Sequence, residues 1–120
     1  GKYISPAPIE LEILKNSDID KVCVVGTGIP QPIGLIVLSQ AGKEKEHTDL
    51  LESLDQTIKV VNSTLENVAK IEKIIVMKED WTIDNGLLTP TLKTKRNRVE
   101  KIHKDMYIKW FSEEASILFE

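Results

Sequence analysis

Two short apolar runs, "VCVV" at 22–25 and "LIVL" at 35–38, do most to limit what this chain can fold into. Both are rich in β-branched residues, and the segment between them, "GTGIPQPIG", is dense in turn formers. Such runs read as largely buried strands. A link this short favours antiparallel pairing, because a parallel pair needs a crossover of about a dozen residues or more. Buried strands need cover, and the flanking patterns supply helices. In "SPAPIELEILKN", Ser5 stands as a cap, Pro6 takes the first helical position where its missing N–H does no harm, and Ile9, Ile13 and Leu14 share one side, which predicts a helix over 6–15. From 46 to 66, His47, Leu50, Leu51, Leu54, Ile58, Val61 and Leu65 recur at steps of three and four and define the stripe of a long amphipathic helix.

"KIEKIIVMKE" follows as a third strand. Asn85-Gly86 is the dipeptide that most readily enters a tight turn with positive φ. A last helix is expected to start near Thr94 and to carry Val99, Ile102, Met106 and Trp110 inward. The predicted fold is α+β: a small, mainly antiparallel three-stranded sheet covered by three helices, with 1–120 forming a single domain. A chain of 120 residues buries roughly two thirds of the surface it exposes when unfolded, enough for a core without staples.

The lone cysteine, Cys23, has no intramolecular partner and sits in an apolar run, so it is expected to be a buried small hydrophobe in a reducing compartment. There is no charged-then-apolar leader and no apolar run near the roughly 20 residues that span a bilayer. The expected location is cytoplasmic, with peripheral membrane association left open. The sequon "NST" at 62–64 lies inside a helical pattern and reads as chance.

With 16 Lys and Arg against 19 Asp and Glu, global charge disfavours nucleic acid, so any anion site must be local. "LLTPTLKTKRNRV" at 87–99 provides one candidate: Lys93, Lys95, Arg96 and Arg98, with Lys101 just beyond. Cations in the first turn of a helix oppose the macrodipole and cost a few tenths of a kcal/mol each unless an anion is present. The cluster therefore reads as half of an anion site, against the plainer reading of a solvated helix face. "GTGIPQ" has the glycines of a phosphate loop without the full pattern or a following helix, and reads as a turn. His47 and His103 have no partners at metal-ligand spacing, so no metal site is expected. No Ser/His/Asp order stands out, and Trp81 and Trp110 read as core aromatics.

At both ends the chain resembles a known family. "GKYISPAPIE" at 1–10 is similar to the hinge-proximal loop of adenylate-forming enzymes, and "WTIDNGLLTPTLKTKR" at 81–96 to the C-terminal lysine motif of their long-chain fatty-acid–CoA ligase branch. The resemblance implies a mobile C-terminal lid whose larger N-terminal adenylation domain, with the ATP loop, adenine pocket and acyl tunnel, lies outside this chain. It implies ATP, CoA and a fatty acid as substrates, with Mg²⁺ assisting the first step. A lid lysine would serve acyl-adenylate formation. After rotation the loop of Gly1, Lys2 and Tyr3 would serve attack by the CoA thiol. Gly86, Thr89, Pro90 and Thr91 form the motif's turns. The commonest family pattern has a Gly-Lys pair after a Pro-Lys-Thr turn. Here Thr94 replaces that Gly, so Lys93 and Lys95 both remain candidates for the catalytic position. The chain alone is expected to fold without ligase activity. Two other readings are an anion- or RNA-binding module using 93–104, and an interaction domain that dimerises through the long helix.

Overall fold

The computed structural model describes residues 5–64 and 70–120; Gly1, Lys2 and Tyr3, and Leu65 of the long-helix stripe, lie outside them. The order is α1 (Pro6–Ile13), β1 (Ile19–Val25), β2 (Ile33–Leu38), α2 (Gln40–Glu44), α3 (His47–Asn62), β3 (Lys73–Val76), α4 (Arg96–His103), α5 (Tyr107–Ser112) and β4 (Ile117–Phe119). A 3-10 turn, Lys104–Met106, joins α4 to α5.

The two apolar runs do pair antiparallel, with Val22 opposite Ile36 and Cys23 opposite Leu35. The rest of the sheet corrects the expectation. It has four strands in the order β1-β2-β3-β4, and β2/β3 and β3/β4 are parallel. The reason lies in the connections. Between β2 and β3 the chain makes α2 and α3, and between β3 and β4 it makes α4 and α5, so both links are long enough to return the next strand in the same direction. Five α-helices, not three, stand among the described residues. β4 was missed because its three residues are too few for a pattern. It is held by pairing with β3 and by Lys73, a buried lysine whose Nζ donates to the carbonyls of Glu113 and, at 2.7 Å, Ala115. That cation sits at the C-terminal end of α5, where the helix dipole favours it.

Both sheet faces are covered, which explains why the strands read as continuous apolar runs. Val22, Val24, Ile36, Ile74 and Val76 pack under α1 and α3, with Ile9, Ile13, Leu50, Leu54, Ile58 and Val61. Cys23, Val25, Leu35, Val37 and Ile75 turn to the opposite layer, with Trp81, Leu87, Leu88, Val99, Tyr107 and Trp110. Leu50, Leu54, Ile58 and Val61 of the α3 stripe are thereby consumed by the core, and the reading of dimerisation through this helix gains no support. Beside the start of β1, α2 approaches so closely that a Cβ on Gly42 would clash with the Asp18 carbonyl oxygen.

The final helix also departs from expectation. It begins at Arg96, is interrupted at Lys104–Met106, and buries Val99, His103, Tyr107 and Trp110. Ile102 is 59% exposed instead. Val99 and Trp110 are buried as expected and Met106 packs partly against the same layer, so the departure is at Ile102, whose place hydropathy prefers over His103; His103 instead turns inward toward Glu120, its Nδ1 lying 3.4 Å from Oε2. No helix among the described residues is long and apolar enough to cross a membrane.

Candidate functional site

The site is built on the irregular stretch after β3. Trp81 is buried, and Asn85 organises the backbone around it: its side-chain oxygen accepts from the N–H groups of Thr82 (3.0 Å) and Leu87 (3.2 Å), while its amide donates to the Asp80 carbonyl (2.8 Å). Gly86 takes φ +80°, the conformation foreseen for Asn-Gly, and Leu87 and Leu88 then drop into the core. From this anchored base a hairpin rises. Leu88 bridges Thr94, the N–H of Thr89 donates to the Lys93 carbonyl at 2.8 Å, and the N–H of Lys95 donates to the Leu87 carbonyl at 2.8 Å.

Pro90, Thr91 and Leu92 form its tip. The N–H of Leu92 closes on the Thr89 carbonyl at 2.8 Å, and Thr89 Oγ1 accepts the N–H of Lys93 at 3.0 Å. Leu92 has φ +65° and is 66% exposed, so a non-glycine residue holds the left-handed position that closes a three-residue hairpin loop. Lys93 and Lys95 alternate with Thr94 along the second arm and so share a face. Lys93 is exposed and Lys95 half-buried, and neither has an ion-pair partner among the described residues. A groove of about 630 Å³ beside the hairpin is lined by Asp20, Asp80, Asp84, Ile83 and Leu92. Its lysine, Lys21, is held by Asp20 at 2.6 Å and Asp80 at 2.9 Å, so this carboxylate-lined groove does not suit an anion.

The basic cluster is not one site. Arg96 is committed inward. One guanidinium nitrogen, Nη2, donates to both Glu10 oxygens at 2.8 Å each, and the other, Nη1, donates to the Val24 carbonyl at 2.9 Å and Cys23 Sγ at 3.3 Å. Arg98 and Lys101 are exposed on α4. Charge and position alone group Arg96 with the anion-binding residues, because its partner, Glu10, is 86 residues away in the chain. Cys23 is fully buried, and burial pushes its thiol up to about 12, so it is an inert apolar group as expected. Gly26–Gln31 forms a turn closed by the Ile29 N–H on the Gly26 carbonyl, not a phosphate loop. Among the described residues no three His, Cys, Asp or Glu side chains are grouped to hold a metal ion.

Residues 1–113 match the AMP-binding enzyme C-terminal domain. The chain belongs to that family. Among curated proteins, this AMP-binding C-terminal domain is 28% identical over 124 residues to a long-chain-fatty-acid–CoA ligase of Mycobacterium tuberculosis, covering 88% of the chain and 21% of the ligase. It is 29% identical over 125 residues to long-chain-fatty-acid–CoA ligase 5 of Mus musculus, covering 84% of the chain and 17% of the relative. The chain thus spans about a fifth of the length of the curated relatives it matches. In fold it is similar to part of the A-PCP didomain of carboxylic acid reductase from Segniliparus rugosus, solved in complex with AMP. The TM-score is 0.76 at 15% identity, over 92% of this chain and 16% of that one. The RNA-binding reading finds no support in these likenesses.

Proposed function

We propose that this AMP-binding C-terminal domain is the lid of an AMP-forming acid–thiol ligase, acting with a larger N-terminal adenylation domain on a long-chain fatty acid, ATP and CoA. The observation that carries the reading is the anchored hairpin 87–95, which holds Lys93 and Lys95 on one face with no ion-pair partner for either side chain among the described residues. In the first half-reaction a carboxylate oxygen attacks the α-phosphorus and the bond to pyrophosphate breaks. Two anions meet, and negative charge builds on the phosphoryl oxygens. A lysine delivered from a closing lid offsets both in a water-poor site, and it suits delivery because it is a compact charge on a long stem. In the second half-reaction the lid rotates, and the thiol sulfur attacks the acyl carbon with AMP as leaving group. The loop of Gly1, Lys2 and Tyr3 is then assigned to the pantetheine chain, where Gly1 permits close backbone approach. Mg²⁺ enters with the ATP phosphates, and no residue of this chain is assigned to it.

Between the two candidates, Lys93 is favoured. Lys95 is half-buried and forms the start of α4, whereas Lys93 is exposed next to the hairpin tip. In the full-length enzyme, Lys93→Ala is expected to slow single-turnover acyl-adenylate formation by orders of magnitude and to spare thioester formation from preformed acyl-adenylate, with Lys95→Ala doing less. The opposite asymmetry moves the catalytic role to Lys95. Loss of less than tenfold from both, about 1.4 kcal/mol of barrier, overturns the reading.

A further inference from the structure

We propose that Arg96 and Glu10 act as a positioning pair for the lysine hairpin, an inference that rests on the proposed role of that hairpin in adenylation. α4 lacks the usual signals of a helix start. Its first residue, Arg96, follows a lysine at the N-cap position; there is no side-chain cap hydrogen bond and no acidic residue in the first turn. The devices that ordinarily fix where a helix begins are missing. The second arm of the hairpin runs directly into this helix, so any slack at its start passes to Lys95 and Lys93.

Arg96 supplies the missing fixture. Both Glu10 oxygens lie 2.8 Å from one guanidinium nitrogen, and the other nitrogen donates to the Val24 carbonyl at 2.9 Å. Glu10 Oε2 in turn accepts the Val24 N–H at 2.7 Å. Val24 lies on β1, the edge of the sheet, so the pair occupies both backbone groups of one edge residue. Three elements therefore meet at one point: the edge strand, the middle of α1 and the first turn of α4. The carboxylate is largely buried, 14% exposed at its side chain, and the guanidinium 36% exposed. A lysine at position 96 could supply charge but not a rigid fork that reaches carboxylate, carbonyl and sulfur together.

The pair differs from a purely structural ion pair in what its loss should do. With Arg96→Lys in the full-length enzyme, assayed well below the variant's own melting temperature, kcat for adenylation should fall tenfold or more with little change in KM for ATP or fatty acid. Thioester formation from preformed acyl-adenylate should change by less than twofold. Amide hydrogen exchange without substrates gives a second readout. Exchange at Thr89, Lys93 and Lys95 should quicken in Arg96→Lys and in Glu10→Gln, and the double variant should go no further than the worse single one, because the two residues act as a unit. Exchange in α3 should not move. Equal slowing of both half-reactions, or hairpin protection left at its wild-type level, overturns the proposal. If Lys93→Ala and Lys95→Ala are both harmless, the catalytic reading of the hairpin fails and hydrogen exchange alone decides on the pair. If a lysine variant is crippled while Arg96→Lys retains wild-type adenylation, only the positioning pair fails.

Discussion

The two layers that cover the sheet follow different rules. Beneath α1 and α3 the layer is made by regular helices whose apolar residues recur at three- and four-residue steps, and its buried members are almost all aliphatic. The opposite layer is made by a loop, a hairpin and a broken helix. It is the layer that buries aromatic rings: Trp81, Tyr107 and Trp110, with His103 against Trp110. The first layer is a stability device. The second supplies stability too, but it also holds the chain segment that carries Lys93 and Lys95, so a packing change there is expected to reach the site.

Large-to-small substitution tests that distinction most strongly. Trp81→Ala should destabilise by about 3–5 kcal/mol and Leu54→Ala, at the centre of the α3 stripe, by about 2–5 kcal/mol. Glu52→Ala on the exposed side of α3 should change little. The informative comparison is at conditions where both variants remain folded: amide exchange at the hairpin should quicken in Trp81→Ala and stay unchanged in Leu54→Ala. A hairpin equally loosened by both would show that the layers are not separable.

A smaller effect concerns the polar seam at the margin of the first layer. Asp18 is buried, accepts from Lys45 Nζ at 2.7 Å and Ser53 Oγ at 2.6 Å, and is held below the usual carboxylate range by those two hydrogen bonds. A carboxyl whose folded pKa is lowered adds stability above its unfolded pKa and loses it as pH falls through the folded value. Asp18→Asn should therefore cost about 1.5–3 kcal/mol at neutral pH, the range for hydrogen bonds to charged groups. The gap between wild type and variant should close on acidification below pH 3.8. Denaturant midpoints at pH 7 and pH 3 check this, and a gap that widens in acid would show that the sign is wrong.

What was legible in the sequence follows the same division. The period of α3 and the paired runs of β1 and β2 are local patterns repeated several times, and Asn85-Gly86 is a local turn signal, so each could be read directly. The second layer depends on distant pairings. Nothing near Glu10 marks it as the partner of Arg96, and three residues of β4 cannot announce a strand that exists because β3 and Lys73 receive it. Val99 and Trp110 face inward as read and Met106 packs partly against the same layer; only Ile102 was misread, because it is more apolar than His103, while the rotation of those helices is set by contacts outside them. The lysine motif was legible as wording; that its arginine belongs to the scaffold was not.

The finest test lies in the second layer, at Tyr107. The residue is 1% exposed, yet its hydroxyl has no well-formed hydrogen bond among the described residues. Burial, and then the Glu100 charge, push the phenol above its ordinary range, so the group stays protonated and its O–H remains a donor without a well-formed acceptor. A buried unpaired hydroxyl is a cost to folding, because water's hydrogen bonds are lost without replacement. Tyr107→Phe keeps the ring that packs at 6.4 Å from Trp110 and removes only that oxygen. Stability should be unchanged or raised by up to about 1 kcal/mol, read as a shift in urea midpoint at constant slope. A loss of more than about 1 kcal/mol would instead show that the hydroxyl is satisfied in solution. The second layer would then contain a polar contact, directed toward Glu100 on α4, that belongs with Arg96 and Glu10 in fixing the start of that helix.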